Sequence, residues 1–179
     1  MRNDEFSIHH SSFLPMRILG LDPGTATTGY GVIDVESDGR LTAVTFGAIT
    51  TSPNSPMPER LQHIQRDLQG LLDKFQPDSA AIEEVFFGRN VTTAISVGQA
   101  RGVLLLTLAN AGLSIGEYSP PKIKEAVTGY GKADKAQVQM MIRNLLDLEE
   151  TPRPDDAADG LAVAIAHYHF RRYESLMEE

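Results

Sequence analysis

Arg17-Ile18-Leu19-Gly20-Leu21-Asp22 is a short apolar run that ends in an acid, and Pro23-Gly24 follows it as a turn signal. Tyr30 to Val35 is rich in aromatic and β-branched residues, and Ser37-Asp38-Gly39-Arg40 is typical of a hairpin turn before Leu41 to Thr50. This order predicts three consecutive antiparallel strands. The sheet of this protein therefore starts as an antiparallel one.

Predicted helices and short strands alternate after the third strand, identified by apolar residues at helical spacing or in short buried runs. They are a helix over 59–75, a strand over 80–83, a helix over 92–111, a strand over 114–118, a helix over 133–148 and a helix from about 155 to about 173. This pattern predicts an α/β fold with a mixed five-stranded sheet, three antiparallel strands then parallel strands, flanked by helices.

Length and composition limit the class of protein. We expect residues 1–15 to be a disordered polar extension, 16–173 the one folded domain and 174–179 a tail. Cysteine is absent, which excludes disulfides and thiolate metal sites and fits a reducing cytosol. No apolar run approaches the roughly 20 residues of a membrane span, the best being Val103 to Ala111. These observations predict a cytoplasmic protein with no membrane partner.

Charge is distributed unevenly along the chain. Seven Lys or Arg and three Asp or Glu lie between Val85 and Asn144, a balance of +4 in a chain whose net charge is −8, so the remainder carries −12. A basic middle can bind phosphates on one face although the net charge is acidic. The alternative is an ordinary solvated surface.

An acidic cluster, Pro154-Asp155-Asp156-Ala157-Ala158-Asp159-Gly160, opens an apolar segment near the C-terminus. On a helix, Asp159 shares a face with Asp155 or Asp156. Helix N-termini favour acids, so one interpretation is a proline-led helix start with acidic caps. Asp159 lies too deep in the helix for capping, and the cluster therefore favours a divalent metal site.

Asp22 and Glu83 each end a predicted buried strand. Sites in open α/β sheets form beyond the carboxyl ends of strands, and the late helix with Asp156 and Asp159 can pack against that edge. Each acid alone is more often a turn or cap residue, so the prediction depends on their joint placement. Oxygen ligands without cysteine suit Mg²⁺ or Mn²⁺ rather than Zn²⁺, and a pair of such ions can hydrolyse a phosphodiester.

Four segments stand in a fixed order along the chain: Leu19-Gly20-Leu21-Asp22-Pro23-Gly24, Ala81-Ile82-Glu83-Glu84-Val85-Phe86, Gly98-Gln99-Ala100-Arg101-Gly102 and Asp156-Ala157-Ala158-Asp159. Together they closely resemble the RuvC family of bacterial Holliday junction resolvases, over about Met16 to His169. The resemblance implies an RNase H-like fold and a homodimer. It also implies an endonuclease that makes symmetric, Mg²⁺-dependent nicks in opposing strands of four-way DNA junctions during recombination and repair, leaving 5′-phosphate and 3′-hydroxyl ends.

The resemblance assigns catalytic and metal-binding roles to Asp22, Glu83, Asp156 and Asp159. It implies two Mg²⁺ ions per subunit, with Mn²⁺ able to substitute. Asp155 stays open as an alternative to Asp156, because its i,i+4 spacing to Asp159 also works geometrically. The family motif favours Asp156 and leaves Asp155 as a helix cap.

Five residues are candidates for binding DNA. The resemblance implies that Phe86 stacks on unpaired bases, as exposed aromatic side chains can, with Phe87 beside it. Lys124 and Lys135 match basic residues near the scissile strand in the family, and Arg89 is a candidate contact to the DNA backbone. From the residues alone, the phenylalanines could be core and the lysines ordinary surface.

The helix predicted over 92–111 carries apolar residues on more than one face, which is more than packing on a sheet requires. One interpretation is that these side chains pack in the core. The resemblance implies that they also form a dimer interface, and we expect both. The resemblance also implies partnership with the RuvA–RuvB branch-migration complex.

Three other functions compete with this one. Asp22-Pro23-Gly24-Thr25 resembles the first phosphate loop of actin-like and sugar-kinase-like ATPases. That fold needs a second lobe and leaves Asp156 and Asp159 unexplained. An RNase H-like nuclease acting on structured RNA is more closely related to a resolvase. A non-catalytic junction-binding module is the third alternative. Four intact acids argue against the last, because buried like charges without a metal are costly.

Overall fold

The computed structural model describes residues 15–85 and 91–177. Within them, ten elements follow one another along the chain. They are β1 (Met16–Asp22), β2 (Thr27–Val35), β3 (Leu41–Thr50), α1 (Met57–Phe75), β4 (Ser79–Glu83), α2 (Val91–Asn110), β5 (Ser114–Tyr118), α3 (Pro120–Thr128), α4 (Lys135–Leu145) and α5 (Asp155–Met177).

The five strands form one sheet in the order β3-β2-β1-β4-β5. β2 pairs antiparallel with β1 and β3, whereas β4 pairs parallel with β1 and β5. The predicted mixed sheet of three antiparallel strands followed by parallel ones is confirmed. Leu21 lies opposite Ile82 in the parallel β1–β4 pair, so the residues that follow them, Asp22 and Glu83, reach the same edge of the sheet.

Helices cover both faces of the sheet, and alternate residues of each strand point to opposite faces. Ile18 of β1 belongs to a buried cluster with residues of α3, α4 and α5, and its neighbour Leu19 belongs to another with residues of α1 and α2. α5 contributes the largest share of the first cluster, with side chains such as Leu161 and Ile165 fully buried. The helix that carries the acidic cluster is therefore fixed by the core.

The structure contains one helix that the sequence prediction lacks, α3. Ser119 precedes it as the N-cap residue, Pro120 and Pro121 occupy its first positions, and Gly129 ends it in the left-handed conformation with φ 77°. Ile123 and Val127 are its buried residues. Its first turns hold one lysine of the site described below, which makes α3 functionally relevant.

Several boundaries differ from prediction, by three residues or more in β2, α4 and α5. The helix predicted over 133–148 is shorter, since α4 runs from Lys135 to Leu145. β2 begins at Thr27 rather than Tyr30, because pairing with β3 continues through Thr27 opposite Thr50. α5 continues to Met177, past the predicted end at about Tyr173.

One helix in the described ranges, over Thr92–Asn110, is long and apolar enough to cross a membrane by length and composition alone. The sequence predicts no such segment when only uninterrupted apolar runs are considered. A core helix of a soluble protein meets the same criterion, and Ala100, Leu104 and Leu108 of α2 are fully buried in the fold. Ile95 and Leu106 are 56% and 62% exposed, so α2 also presents apolar side chains outward.

Candidate active site

Two carboxyl groups meet where β1 and β4 end. Asp22 and Glu83 are joined by a side-chain hydrogen bond, and both are mostly buried. Burial raises the pKa of Glu83 to about 9, and the bond to Asp22 and the charge of Asp22 act in the same direction. Burial also raises the pKa of Asp22. Burial and mutual repulsion therefore make it costly for both groups to be ionised at once without a cation.

α5 brings two more carboxylates to the same place from its first turns. Burial raises the pKa of Asp159, and the negative charge of Asp22 raises it further. Asp156 lies close enough to raise the pKa of Asp22 by its charge. The four acids predicted from the sequence therefore lie within electrostatic reach of one another at one end of the sheet.

Glycines allow α5 to approach the sheet closely enough for this. A Cβ atom on Gly31 of β2 would lie 2.6 Å from the backbone nitrogen of Leu161, two residues after Asp159. A Cβ atom on Gly20 of β1 would overlap the backbone of Gly160 and Ala164. Side chains at these positions would push α5, and its two acids, away from Asp22 and Glu83.

A pocket of about 230 Å³ opens over the acids. Asp22, Glu83 and Asp159 line it together with Lys124 of α3 and Lys135 of α4. The positive charge of Lys124 lowers the pKa of Glu83, and that of Lys135 lowers the pKa of Asp22 and Asp159, although burial outweighs these effects. The pocket therefore combines buried oxygen donors with two cationic side chains, as a site for a phosphate group requires.

Asp155 occupies a different position from the other acids. Like Asp156, it does not line the pocket, and its side chain is 66% exposed. Its Oδ2 lies 3.2 Å from the Nζ of Lys135, which lies 3.7 Å from Asp159 Oδ2. The hydrogen bond and charge of Lys135 lower the pKa of Asp155. Asp155 therefore pairs with a lysine of α4, and its charge also contributes to the raised pKa of Asp159.

Arg101 is a site residue to which the sequence analysis gave no role, although it stands in one of the four quoted segments. Its Nε donates to the main-chain oxygen of Glu83 at 3.3 Å, and its Nη2 pairs with Glu117 of β5. The guanidinium therefore ties the end of β4 to β5 and helps to fix where Glu83 emerges.

Phe86, Phe87 and Arg89 fall outside the described residues. His167 is a buried packing residue. Its Nδ1 is hydrogen-bonded to the hydroxyl of Tyr118 at 2.8 Å, and its Nε2 is hydrogen-bonded to the hydroxyl of Ser79 at 3.2 Å. Burial lowers the pKa of His167 to about 4, so it is neutral at physiological pH.

The donor set fits a hard divalent cation. Within residues 15–85 and 91–177, no group of three or more His, Asp or Glu side chains is arranged so that it could hold a metal ion as it stands. Asp22 and Glu83 are instead bonded to each other, and Asp159 faces Lys135. Carboxylates whose pKa is raised by burial and by one another are stabilised when a cation binds among them. Oxygen donors without sulfur favour Mg²⁺ or Mn²⁺.

Known proteins share both this sequence and this fold. The family model for crossover junction endodeoxyribonuclease RuvC matches residues 18–167. The crossover junction endodeoxyribonuclease RuvC of Syntrophomonas wolfei is 53% identical over 163 residues, covering 91% of this chain and 94% of the relative. The chain belongs to the RuvC family. Nucleases of this family depend on a divalent metal ion.

Solved RuvC structures agree with the assignment. The structure of Thermus thermophilus RuvC superposes with a TM-score of 0.83 at 37% identity, covering 89% of this chain and 97% of that one. The structure of the same protein in complex with Holliday junction substrate superposes with a TM-score of 0.81 at 34% identity, covering 88% of this chain and 96% of that one. The RNase H-like α/β fold expected from the sequence is confirmed.

Proposed function

We propose that this chain is a Holliday junction resolvase that nicks two opposing strands of a four-way DNA junction. The pocket that Asp22, Glu83 and Asp159 share with Lys124 and Lys135, in a member of the RuvC family, carries the proposal. Asp156 lies close enough for its charge to raise the pKa of Asp22. The relative solved with junction DNA supports this substrate. We assign the nuclease to residues 16–173 and place it in the cytoplasm, where its DNA substrate lies.

The four acids are proposed to hold two Mg²⁺ ions, with Mn²⁺ as a substitute. When bound, such ions make water nucleophilic and stabilise the charge that develops on the phosphate and leaving oxygen. No side chain then has to act as general base. Binding requires Glu83 to lose its proton, so the same interactions that raise its pKa couple metal affinity to pH. The expected products carry 5′-phosphate and 3′-hydroxyl ends.

The chain's remaining residues would position the DNA. Lys124 and Lys135, at the pocket, are proposed to bind phosphates of the scissile strand. Arg89 is proposed as a contact to the DNA backbone. Phe86 is proposed to stack on an unpaired base at the junction centre, with Phe87 adjacent. Such contacts select junction shape and position more than base sequence.

Two symmetric cuts require two active sites. We propose a homodimer with α2 at its interface, supported by the exposed Ile95 and Leu106 on a helix whose other face is core. A two-fold axis would place the pockets so that each cuts one of two equivalent strands. Partnership with the RuvA–RuvB complex follows from the family resemblance alone and completes the proposal.

A junction-cleavage assay tests the proposal. A synthetic four-way junction with a short mobile core and a matched linear duplex are bound to the protein in EDTA, and strand cutting is scored after Mg²⁺ is added. We expect selective junction binding and paired symmetric nicks. Asp22→Asn should bind the junction and lose cutting.

The matched control is Asp73→Asn, which removes an equal charge from an exposed position on α1 and should cut normally. Junction binding without cutting across several core sequences would replace the resolvase with a non-catalytic binding module. Absence of any junction preference would refute the proposal and direct the search to structured RNA.

A further inference from the structure

One carboxylate beside the proposed metal ligands has no role so far. Asp155, the first residue of α5, accepts two contacts from α4: Lys135 Nζ lies 3.2 Å from its Oδ2, and Gln139 Nε2 donates to its Oδ1 at 3.2 Å. Lys135 and Gln139 are one helical turn apart and so share a face of α4. A single carboxylate thus joins the start of α5 to two successive turns of α4.

The contact with Asp155 determines which carboxylate pairs with the ammonium of Lys135. The ammonium of Lys135 is a compact charge on a flexible four-carbon stem. In the described part of the chain its ion-pair partners are Asp155 at 3.2 Å and Asp159 at 3.7 Å. Removing Asp155 would leave Asp159, a proposed metal ligand, as the carboxylate on which the ammonium settles.

We propose that Asp155 is a positioning residue that, together with Gln139, fixes the ammonium of Lys135 at the mouth of the pocket and keeps it from moving closer to Asp159. The inference rests on the proposed function, since it takes Lys135 to bind a DNA phosphate. An ammonium has three donors, so one can stay on Asp155 while another reaches phosphate.

The exposure of the contact makes a positioning role separable from a structural one. An ion pair with partners exposed by 54% and 66% contributes little to folding stability. A displaced phosphate-binding group, in contrast, slows a reaction that depends on alignment. Loss of Asp155 should therefore change cleavage much more than melting temperature.

The test compares wild type, Asp155→Asn, Lys135→Ala and the double variant in single-turnover cleavage with saturating junction and Mg²⁺. We expect Asp155→Asn to slow cleavage about 3- to 10-fold. The same substitution should add nothing when Lys135 is already alanine, because both changes remove one interaction. Asp155→Glu should recover part of the rate.

Metal-free binding gives an independent readout. Junction affinity in EDTA is measured against salt concentration, and Lys135→Ala should reduce the log–log slope by about one. Asp155→Asn should reduce it in the same direction, because Lys135 then pairs with Asp159 instead of phosphate. Glu150→Gln is the matched control: it removes one exposed charge from the loop before α5 and should leave rate and slope near wild type.

Three results would overturn the inference. They are a wild-type rate for Asp155→Asn, an equal loss in Glu150→Gln, and a further loss when Asp155→Asn is added to Lys135→Ala. If the wild-type protein itself neither prefers nor cuts the junction, the proposed function has failed, and that outcome is visible before any variant is compared.

Discussion

Gly31→Ala tests whether close packing of α5 sets the geometry of the acids. Alanine suits a strand better than glycine by about 0.5–1 kcal/mol, so propensity alone predicts a stabilised protein. The structure predicts the opposite. The new Cβ would lie 2.6 Å from Leu161 N, and ordinary contact begins at 3.4 Å, so the α5 backbone must retreat about 0.8 Å.

Two magnitudes follow from that displacement. Overpacking of this kind costs about 1–3 kcal/mol, which the gain in strand propensity offsets only in part. A net loss of about 1–2 kcal/mol lowers the melting temperature of a chain this long by about 2–8 °C. Asp159 lies two residues before Leu161 and moves with it, and a misplacement near 1 Å can cost about 10²-fold in cleavage rate.

The assay pairs thermal unfolding in EDTA with single-turnover junction cleavage in Mg²⁺. Gly70→Ala is the control, because its Cβ on α1 would meet nothing within 4 Å. It should raise the melting temperature slightly and leave cleavage unchanged. A Gly31→Ala protein that is stabilised like Gly70→Ala and cuts at the wild-type rate would refute this account of the site.

Three further outcomes are expected. A carboxyl whose folded pKa is raised keeps a proton that the unfolded chain has released, so in EDTA the melting temperature should fall from pH 7 to 9. Glu83→Gln should make that fall less steep. A fall as steep as in the wild type contradicts the assignment of the raised pKa to Glu83. His167 has a folded pKa lowered from 6.5 to about 4, so its contribution to folding stability is lost as the pH falls from 6.5 to about 4. His167→Gln should therefore reduce how much the urea midpoint falls as the pH is lowered from 6.5 to about 4. If the midpoint falls as much as in the wild type, other groups cause the loss of stability in acid. Lys124→Ala should lower the log–log salt slope of junction binding by about one without changing the melting temperature, whereas an unaltered slope would remove this lysine from the DNA interface.

The sheet and most helices were predictable because their signals are local. The apolar runs of β1 and β4, the hairpin turn at Asp38-Gly39 and the helical spacing in α1 each act within a few residues. Asp22 and Glu83 were identifiable for the same reason, since both directly follow buried strand residues.

α3 was missed although its boundary signals are present in the sequence. Ser119-Pro120-Pro121 is a recognisable helix start and Gly129 a recognisable end, but only two of its nine residues are buried. A short helix with so little apolar periodicity is defined by its caps and by contact with α5.

The relations among charged side chains could not be predicted from spacing. Asp155 looked like a cap or an alternative ligand, because the helical face it shares with Asp159 follows from sequence. Its actual partners, Lys135 and Gln139, belong to another helix, and no local pattern encodes how α4 crosses α5. The contact of Arg101 with the main chain of Glu83 is hidden from sequence in the same way.

The acids come from opposite ends of the chain: β1 supplies the first near the N-terminus and α5 supplies the last two near the C-terminus. α5 is also the helix that fills one side of the core, so a chain still being synthesised lacks two carboxylates and the packing that would assemble the other two. The proposed metal site can therefore form only after the chain as far as α5 has been synthesised. A copy that ends before α5 lacks two of the four proposed metal ligands.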